Sequence, residues 1–140
     1  MLTVWITGAS SGIGEACACR YAEEGARLIL TSSSAERLEA VASKCRGLGA
    51  AGVVALPYDL TCLDGIDDLS QKAWDSFDGI DVVMLNAGIS QRTNVEDTSM
   101  EMVRKIMEIN YFAPVSIAKF LLPKMKERGK GRFAVTTSIA

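Results

Sequence analysis

Short apolar runs alternate with longer segments of helical periodicity along the whole chain. Five apolar runs have the length of a strand, and they cover residues 2–6, 27–31, 52–56, 81–85 and 133–137. Most of them are continuously apolar, which is typical of parallel sheets covered by helices on both faces. The pattern therefore predicts an α/β fold built on a doubly wound parallel sheet of the Rossmann type.

Four longer segments between the strands show the spacing of amphipathic helices. The first covers residues 12–24, where Ile13, Ala16 and Cys17 share one face. The other three are expected to begin at capping boxes, in which a serine or threonine precedes an acidic residue by three positions. These boxes pair Ser33 with Glu36, Thr61 with Asp64 and Thr98 with Glu101. The last helix is expected to be long and to be disturbed near Pro114, because proline has no N–H.

Composition and charge exclude several classes of function. The 140 residues are 49% hydrophobic and 23% charged with a net charge of −2, and they form no basic patch for nucleic acid. The apolar runs are too short to span a membrane. The four cysteines form no CxxC pair, so we expect free thiols in a reducing cytoplasm and no metal site. The chain has no histidine, so acid–base chemistry must use other groups.

The stretch TGASSGIG joins the first predicted strand to the first predicted helix. In open parallel sheets, ligands bind beyond the carboxyl ends of the strands, and a helix N-terminus offers free N–H groups to an anion. We expect Gly8 to make the tight turn, Gly12 to bring bare backbone to a pyrophosphate and Gly14 to allow close packing. Ser10 and Ser11 add hydroxyl donors. A glycine-rich connector without a ligand is the alternative.

The spacing TGxxxGxG resembles the short-chain dehydrogenase/reductase family, and further motifs of that family follow in the expected order. They are Asp59-Leu60 after the third strand, Asn86-Ala87-Gly88 after the fourth strand, Asn110 in the long helix and Ser138 after the fifth strand. Together these motifs cover essentially the whole chain. The resemblance implies an enzyme that transfers a hydride between a nicotinamide dinucleotide and the alcohol or carbonyl carbon of a small molecule.

The resemblance also implies a role for each motif at the cofactor. The residues expected to line the pyrophosphate are Gly8, Ser10, Ser11, Gly12, Ile13 and Gly14. Asp59 would accept a hydrogen bond from the adenine amino group, with Leu60 beside it, although a turn-forming aspartate is an alternative role. Asn86, Ala87 and Gly88 would lie along the ribose side of the cofactor.

The choice between NADP and NAD depends on the end of the second strand, roughly 20 residues beyond the glycines. That segment is Thr31-Ser32-Ser33-Ser34, which has no carboxylate to repel a 2′-phosphate and no arginine to bind one. Its hydroxyls are able to bind the phosphate, so we expect NADP, contacted by Ser32 and Ser33, with NAD as the alternative. Capping of the next helix is an equal role for Ser33.

Asn110 is the first of two predicted catalytic residues. It lies on the helix face marked by Met100, Val103 and Met107, so we expect it to point inward. Pro114 stands four residues later and leaves the Asn110 carbonyl without a helical partner, free to hold an ordered water. In the family, this carbonyl holds a water that contacts the catalytic lysine. A kink with a solvated carbonyl is the alternative.

Ser138 is the second predicted catalytic residue, because the family uses this serine to hydrogen-bond the substrate oxygen. The proton is then transferred by the tyrosine of a Tyr-x-x-x-Lys motif, which these 140 residues do not contain. The five predicted strands also fall short of the six in two βαβαβ halves. We therefore expect residues 1–140 to be a Rossmann-type dinucleotide-binding domain, incomplete at its C-terminus and inactive alone.

The parent protein is expected to be a homo-oligomer, because the family dimerises through the long helix and the next one. Two other interpretations compete with that of an incomplete enzyme. The first is a non-catalytic nucleotide-binding module that ends naturally at residue 140. The second is an interaction protein that docks through the sheet edge and the long helix.

Overall fold

A computed structural model describes residues 1–139 and contains one parallel sheet of five strands. The strands are β1 (Thr3–Thr7), β2 (Arg27–Thr31), β3 (Gly52–Ala55), β4 (Val82–Leu85) and β5 (Arg132–Val135). Their order across the sheet is β3-β2-β1-β4-β5, and every neighbouring pair is parallel. The order reverses at β1, where ligand sites of doubly wound sheets lie. The predicted fold class is confirmed.

The described residues form five α-helices, four of which bury side chains in the core around the sheet. They are α1 (Gly12–Glu23), α2 (Ala35–Leu48), α3 (Ile66–Asp75), α4 (Met100–Met107) and α5 (Ala113–Arg128). A π-helical segment, Glu108–Phe112, joins α4 to α5, and short 3-10 turns precede α3 and α4. The predicted long helix is therefore two α-helices, and its disturbance lies just before Pro114.

The two faces of the sheet are buried under different helices. Along β1, Val4 and Ile6 belong to the apolar cluster beneath α1 and α2, whereas Trp5 belongs to the cluster beneath α3 and α5. This alternation follows from the two-residue period of a strand. The buried indole N–H of Trp5 donates to the Thr31 hydroxyl oxygen at 2.9 Å, which satisfies a polar group within the core.

Two of the predicted helix caps are one residue too early. Ser34 caps α2, because its hydroxyl oxygen accepts a hydrogen bond from the N–H of Arg37. Ser99 likewise caps α4 and accepts from the N–H of Met102. The capping boxes predicted at Ser33 and Thr98 are therefore wrong. Adjacent serines and threonines present nearly the same pattern, and the extended backbone at the true cap decides between them.

The third capping box and the predicted face of α1 are also wrong. Thr61 donates its N–H to Asp59, and α3 begins after Gly65 without a side-chain cap. In α1 the buried positions are Gly14, Ala18 and Ala22, while Ile13 is 60% exposed. The helix packs through its smallest residues because it approaches the sheet and the glycine loop closely, which a pattern based on apolar size does not predict.

Candidate functional site

The glycine loop connects the end of β1 to the start of α1 at the carboxyl edge of the sheet. Gly8 and Gly12 adopt φ angles of +64° and +56°, which favour glycine. A Cβ on Gly8 would lie 2.8 Å from the Cα of Ala87, so this turn packs against the end of β4. A Cβ on Gly12 would meet no heavy atom within 4 Å, so the loop is open on that side.

Gly14 lies in the first turn of α1 and faces the glycine loop itself. A Cβ there would overlap the carbonyl oxygen of Gly8 and would lie 2.7 Å from Nδ2 of Asn86. The absence of a side chain therefore allows the helix to lie directly against the loop. Gly8 makes the tight turn and Gly14 allows the close packing that the sequence predicts. The role of Gly12 at a pyrophosphate stays a prediction, as do the contacts of all three glycines with that group.

The N-terminus of α1 carries no side-chain cap. Ser11 at the N-cap is extended, with φ −163° and ψ 171°, and its hydroxyl makes no capping hydrogen bond. The first N–H groups of a helix have no intrahelical partner, and they carry the positive end of the helix dipole. The N–H of Ala9 donates to the Thr31 carbonyl at 3.1 Å, which bonds the loop to the end of β2. The arrangement suits an anion with several acceptor oxygens.

Asn86 connects the glycine loop to the ends of two other strands. Its Nδ2 donates to the carbonyl oxygens of Thr7 and Gly8, each at 3.3 Å. Its Oδ1 accepts a hydrogen bond of 2.8 Å from the hydroxyl of Thr136. The reverse amide orientation would place oxygen against two carbonyl oxygens, so these partners determine the orientation. The Asn86 amide therefore binds the protein's own loop.

Thr7 is a second connecting residue and was not among the predicted site residues. Its buried hydroxyl oxygen accepts hydrogen bonds from the N–H groups of Asn86 and Ala87, each at 3.1 Å. The same hydroxyl donates to the Met84 carbonyl at 3.4 Å. The threonine that opens the TGxxxGxG motif was a signal for this role. No comparable motif marks Thr136.

The serines after β2 differ in their environment. Ser32 is buried, and its hydroxyl donates to the Ser34 carbonyl at 3.3 Å. Ser34 is engaged as the cap of α2, whereas Ser33 is exposed and its hydroxyl makes no hydrogen bond within residues 1–139. Of the two predicted contacts to the cofactor, Ser33 is the more accessible. The cofactor contacts of both serines stay a prediction.

Asp59 forms a turn, as one of its two predicted roles requires. Its Oδ1 accepts hydrogen bonds from the N–H and the hydroxyl of Thr61, at 3.0 Å and 2.7 Å. The hydrogen bond from the Thr61 N–H has the larger effect and that from the Thr61 hydroxyl the smaller, and both lower the pKa of the Asp59 carboxyl. The carboxyl therefore keeps its charge at neutral pH. The neighbouring Leu60 is buried in the cluster beneath α3 and α5. The adenine contact of this pair stays a prediction.

Asn110 lies in the π-helical segment and bonds the loop after β4. Its Oδ1 accepts from the N–H of Ile89 at 2.8 Å, and its Nδ2 donates to the Ile89 carbonyl at 2.7 Å. A Cβ on Gly88 would lie 3.4 Å from the same Oδ1, so the absence of a side chain at Gly88 keeps this approach open. Asn110 therefore positions the loop that follows Asn86-Ala87-Gly88.

The prediction that Asn110 lies on an inward face is wrong for the described residues. Met100, Val103 and Met107 are 60%, 37% and 43% exposed, and Asn110 is exposed as well. The π-helical segment interrupts the 3.6-residue period, because the N–H of Ala113 bonds the carbonyl five residues earlier. An uninterrupted α-helical wheel therefore does not describe this region.

Ser138 lies beyond β5 at the same edge of the sheet as the glycine loop, because all the strands are parallel. It is exposed, in a segment without regular structure that begins at Thr136. The structure thus places both predicted catalytic residues and the glycine loop at the carboxyl edge. Their part in catalysis stays a prediction.

The family model of the short-chain dehydrogenases matches residues 2–140. This chain belongs to the short-chain dehydrogenase family. The human dehydrogenase/reductase SDR family member 7 is 37% identical to it over 141 residues, which cover 99% of the chain and 42% of the relative. The chain thus spans less than half the length of this family member.

Two solved structures resemble the fold closely. A short-chain dehydrogenase from Sphingobium yanoikuyae in complex with NADPH has a TM-score of 0.90 at 30% identity, with 99% of this chain and 54% of that chain covered. An NADH-dependent reductase complexed with NAD has a TM-score of 0.85 at 29% identity, with 99% and 60% covered. The described fold corresponds to a little over half of each neighbour.

Side chains that commonly bind metals are not grouped together in the described part of the chain. Within residues 1–139 no three histidine, cysteine, aspartate or glutamate residues form a group able to hold a metal ion. The four cysteines are free thiols, and burial, followed by the nearby Cys19, raises the pKa of Cys45 to about 11.

None of the helices in the described part of the chain is long and apolar enough to cross a membrane.

Proposed function

We propose that this chain is the dinucleotide-binding part of an oxidoreductase that transfers a hydride between a nicotinamide cofactor and an alcohol or carbonyl substrate. The proposal rests on the conformation of Gly12, which has a φ of +56° and open space where a side chain would stand. It lies at the uncapped start of α1, beside the strand-order reversal where dinucleotides bind in this architecture. The solved relatives that hold NADPH and NAD support it.

The residues of the loop divide this task between them. The N–H groups of Gly12, Ile13 and Gly14 supply donors for the pyrophosphate, and the half-buried Ser10 and the exposed Ser11 are placed to add hydroxyl donors. Gly8 shapes the turn. Asn86 acts indirectly, since its amide holds the carbonyls of the loop, while the exposed Gly88 leaves room beside the ribose.

We propose NADP as the preferred cofactor, with NAD as the alternative. The exposed hydroxyl of Ser33 has no partner within residues 1–139, and no carboxylate occurs from Thr31 to Ser34. Arg37 lies exposed in the first turn of α2, three residues after the cap, and offers a cation near the same position. A hydroxyl and a nearby guanidinium suit a phosphate better than a ribose hydroxyl.

Ser138 and Asn110 are proposed to act on the substrate side. When bound, the dinucleotide supplies or accepts the hydride. Ser138 would orient the substrate by donating a hydrogen bond to its oxygen, and Asn110 would hold a relay water at its main-chain carbonyl. The Asn110 side chain already bonds the backbone of Ile89, so only its carbonyl is assigned to the water.

The oligomeric state and location of the whole protein are also proposals. Within the described residues, α4 and the π-helical segment expose apolar side chains, which include Met100, Met107, Tyr111 and Phe112. Several exposed apolar side chains on one helical stretch are typical of a protein interface, so we propose that the whole protein is a homo-oligomer. Sedimentation equilibrium of the whole protein tests this oligomeric state.

The free thiols favour a cytoplasmic location for the protein.

The 140-residue chain alone is expected to show no turnover. It contains no Tyr-x-x-x-Lys, so it lacks the pair that would donate a proton to a carbonyl oxygen. The measurement is the absorbance of reduced nicotinamide with the purified chain, NADPH and a panel of ketones. Oxidation of NADPH that rises in proportion to both protein and ketone would contradict this expectation.

Cofactor binding is tested by comparing Gly12→Ala with Gly25→Ala. Both glycines have positive φ, at +56° and +77°, and neither would place a Cβ within 4 Å of another atom. Each substitution therefore costs similar backbone strain, about 1–2 kcal/mol. The Gly12 variant adds a methyl group where the anion approaches, and we expect it to bind NADPH about tenfold more weakly, as lost charge-assisted hydrogen bonds predict.

Isothermal titration calorimetry with NADPH, NADP and NADH measures these affinities. Gly25 lies after the opposite end of α1, so its alanine variant is expected to bind NADPH as the wild-type chain does. Equal weakening by both variants would assign the effect to backbone strain alone. A folded wild-type chain that binds none of the three nucleotides would refute the proposed function.

A further inference from the structure

Thr136 is the first residue after β5, and two hydrogen bonds hold it to the end of β4. Its N–H donates to the Leu85 carbonyl at 3.2 Å, and its hydroxyl donates to Oδ1 of Asn86 at 2.8 Å. Ser138 follows two residues later, and no helix or strand occurs between Thr136 and residue 139. Thr136 is thus the point at which the segment carrying Ser138 leaves the sheet.

The Asn86 amide connects this point to the glycine loop. Its Nδ2 donates to the carbonyls of Thr7 and Gly8, while its Oδ1 accepts from Thr136. An amide group is planar, so a hydrogen bond to its oxygen also restricts the direction of its N–H donors. The hydroxyl of Thr136 therefore limits rotation of the amide that holds Gly8.

We propose that Thr136 is a positioning residue that couples the segment carrying Ser138 to the glycine loop through the Asn86 amide. The inference rests on the proposed function, because the loop is taken as the pyrophosphate site and Ser138 as the residue that contacts substrate. The coupling keeps the cofactor loop and the substrate segment in a fixed relation. It depends on the hydroxyl, since Oδ1 only accepts hydrogen bonds and needs a donor at position 136.

Four variants separate the hydroxyl from other properties of the position. Thr136→Val and Thr136→Ala remove the hydroxyl, whereas Thr136→Ser keeps it. Thr137→Val is the control, because the exposed Thr137 hydroxyl makes no hydrogen bond within the described residues. Thr136 is exposed as well, so the variants are expected to fold, which circular dichroism checks.

Two readouts are measured on the 140-residue chain: the NADPH dissociation constant from fluorescence titration, and the side-chain amide resonances of Asn86 from NMR without nucleotide. We expect Thr136→Val and Thr136→Ala to weaken NADPH binding about threefold, the size expected of one neutral hydrogen bond. We expect both to shift the Asn86 resonances. Thr136→Ser restores both readouts, and Thr137→Val changes neither.

The two readouts separate failure of this inference from failure of the proposed function. Unshifted Asn86 resonances in both variants without the hydroxyl would overturn the coupling, whether or not NADPH binds. Shifted resonances with unchanged NADPH affinity would overturn the role of Thr136 in the cofactor site. A wild-type chain that does not bind NADPH would refute the proposed function and, with it, the positioning role of Thr136. The Asn86 resonances would still show whether the hydrogen bond between Thr136 and Asn86 is present.

Discussion

Replacement of Gly14 by alanine is expected to destabilise the chain by about 3 kcal/mol, the upper part of the range for an overpacked site. The added Cβ would overlap the Gly8 carbonyl oxygen and would lie 2.8 Å from its carbon. It would also lie 2.7 Å from Nδ2 of Asn86, which is itself hydrogen-bonded to that loop. The two Gly8 atoms belong to the backbone, so α1 or the loop must shift.

Thermal and urea unfolding, followed by circular dichroism, measure this effect. The matched control is Gly47→Ala, because Gly47 also lies within a helix but a Cβ there would meet nothing within 4 Å. That variant is expected to be more stable than the wild-type chain by about 0.5–1 kcal/mol, the difference in helix propensity. A Gly14 variant as stable as the wild-type chain would show that the close helix–loop contact is not present.

The same overlap predicts a loss of NADPH binding in the Gly14 variant. A displaced α1 would carry its first N–H groups away from the open side of Gly12, where the pyrophosphate is proposed to lie. Binding is therefore measured at a temperature at which the variant remains folded. Unchanged affinity in a folded Gly14 variant would indicate that the start of α1 does not contact the nucleotide.

The sequence is sufficient to predict the order of strands and helices, because each buried strand is a continuous apolar run between helical segments. It is less informative about where helices begin. The segments Ser32-Ser33-Ser34 and Thr98-Ser99 each offer more than one capping side chain, and backbone conformation selects the last of them. Burial by small residues at Ala18 and Ala22 is likewise set by the approach of α1 to the sheet.

The candidate site was predictable where a glycine was required and less so where polar side chains contact one another. Gly8, Gly12 and Gly14 stand out because their spacing has a conformational cause. Thr136 does not, since its role arises only when β5 is placed beside β4 and its hydroxyl meets Asn86. The helix face around Asn110 was predicted wrongly because the apolar residues that mark it are themselves exposed. Pro114 indicated a disturbance of the helix but not the π-helical form that it takes.

Replacement of Asn86 by aspartate is expected to destabilise the chain by about 2–3 kcal/mol at neutral pH, as loss of paired polar contacts predicts. Aspartate has the same shape, but an oxygen would replace Nδ2 and would face the carbonyl oxygens of Thr7 and Gly8 at 3.3 Å. An ionised carboxylate there makes no hydrogen bond to either carbonyl and is repelled by both. A protonated carboxyl is able to donate to one of them.

The destabilisation caused by this variant should therefore depend on pH in a defined direction. The folded state favours the protonated carboxyl, so its pKa in the folded chain lies above the unfolded value of about 3.9. The folded state then binds more protons than the unfolded state, and stability relative to wild type falls as pH rises between these two pKa values. Below the unfolded pKa the penalty is smallest, and above the folded pKa it is largest and constant.

Urea unfolding from about pH 4 to about pH 8 compares the free energy of unfolding of Asn86→Asp with that of the wild-type chain. Asn94→Asp is the control, because it makes the same change of charge at an exposed side chain that has no hydrogen bond within residues 1–139. Its stability difference from wild type should stay small across the range. NADPH binding of Asn86→Asp should weaken more than tenfold at neutral pH, since a carboxylate beside the glycine loop repels the pyrophosphate. A pH-independent penalty, or one equal to that of Asn94→Asp, would show that the amide does not donate to the loop carbonyls.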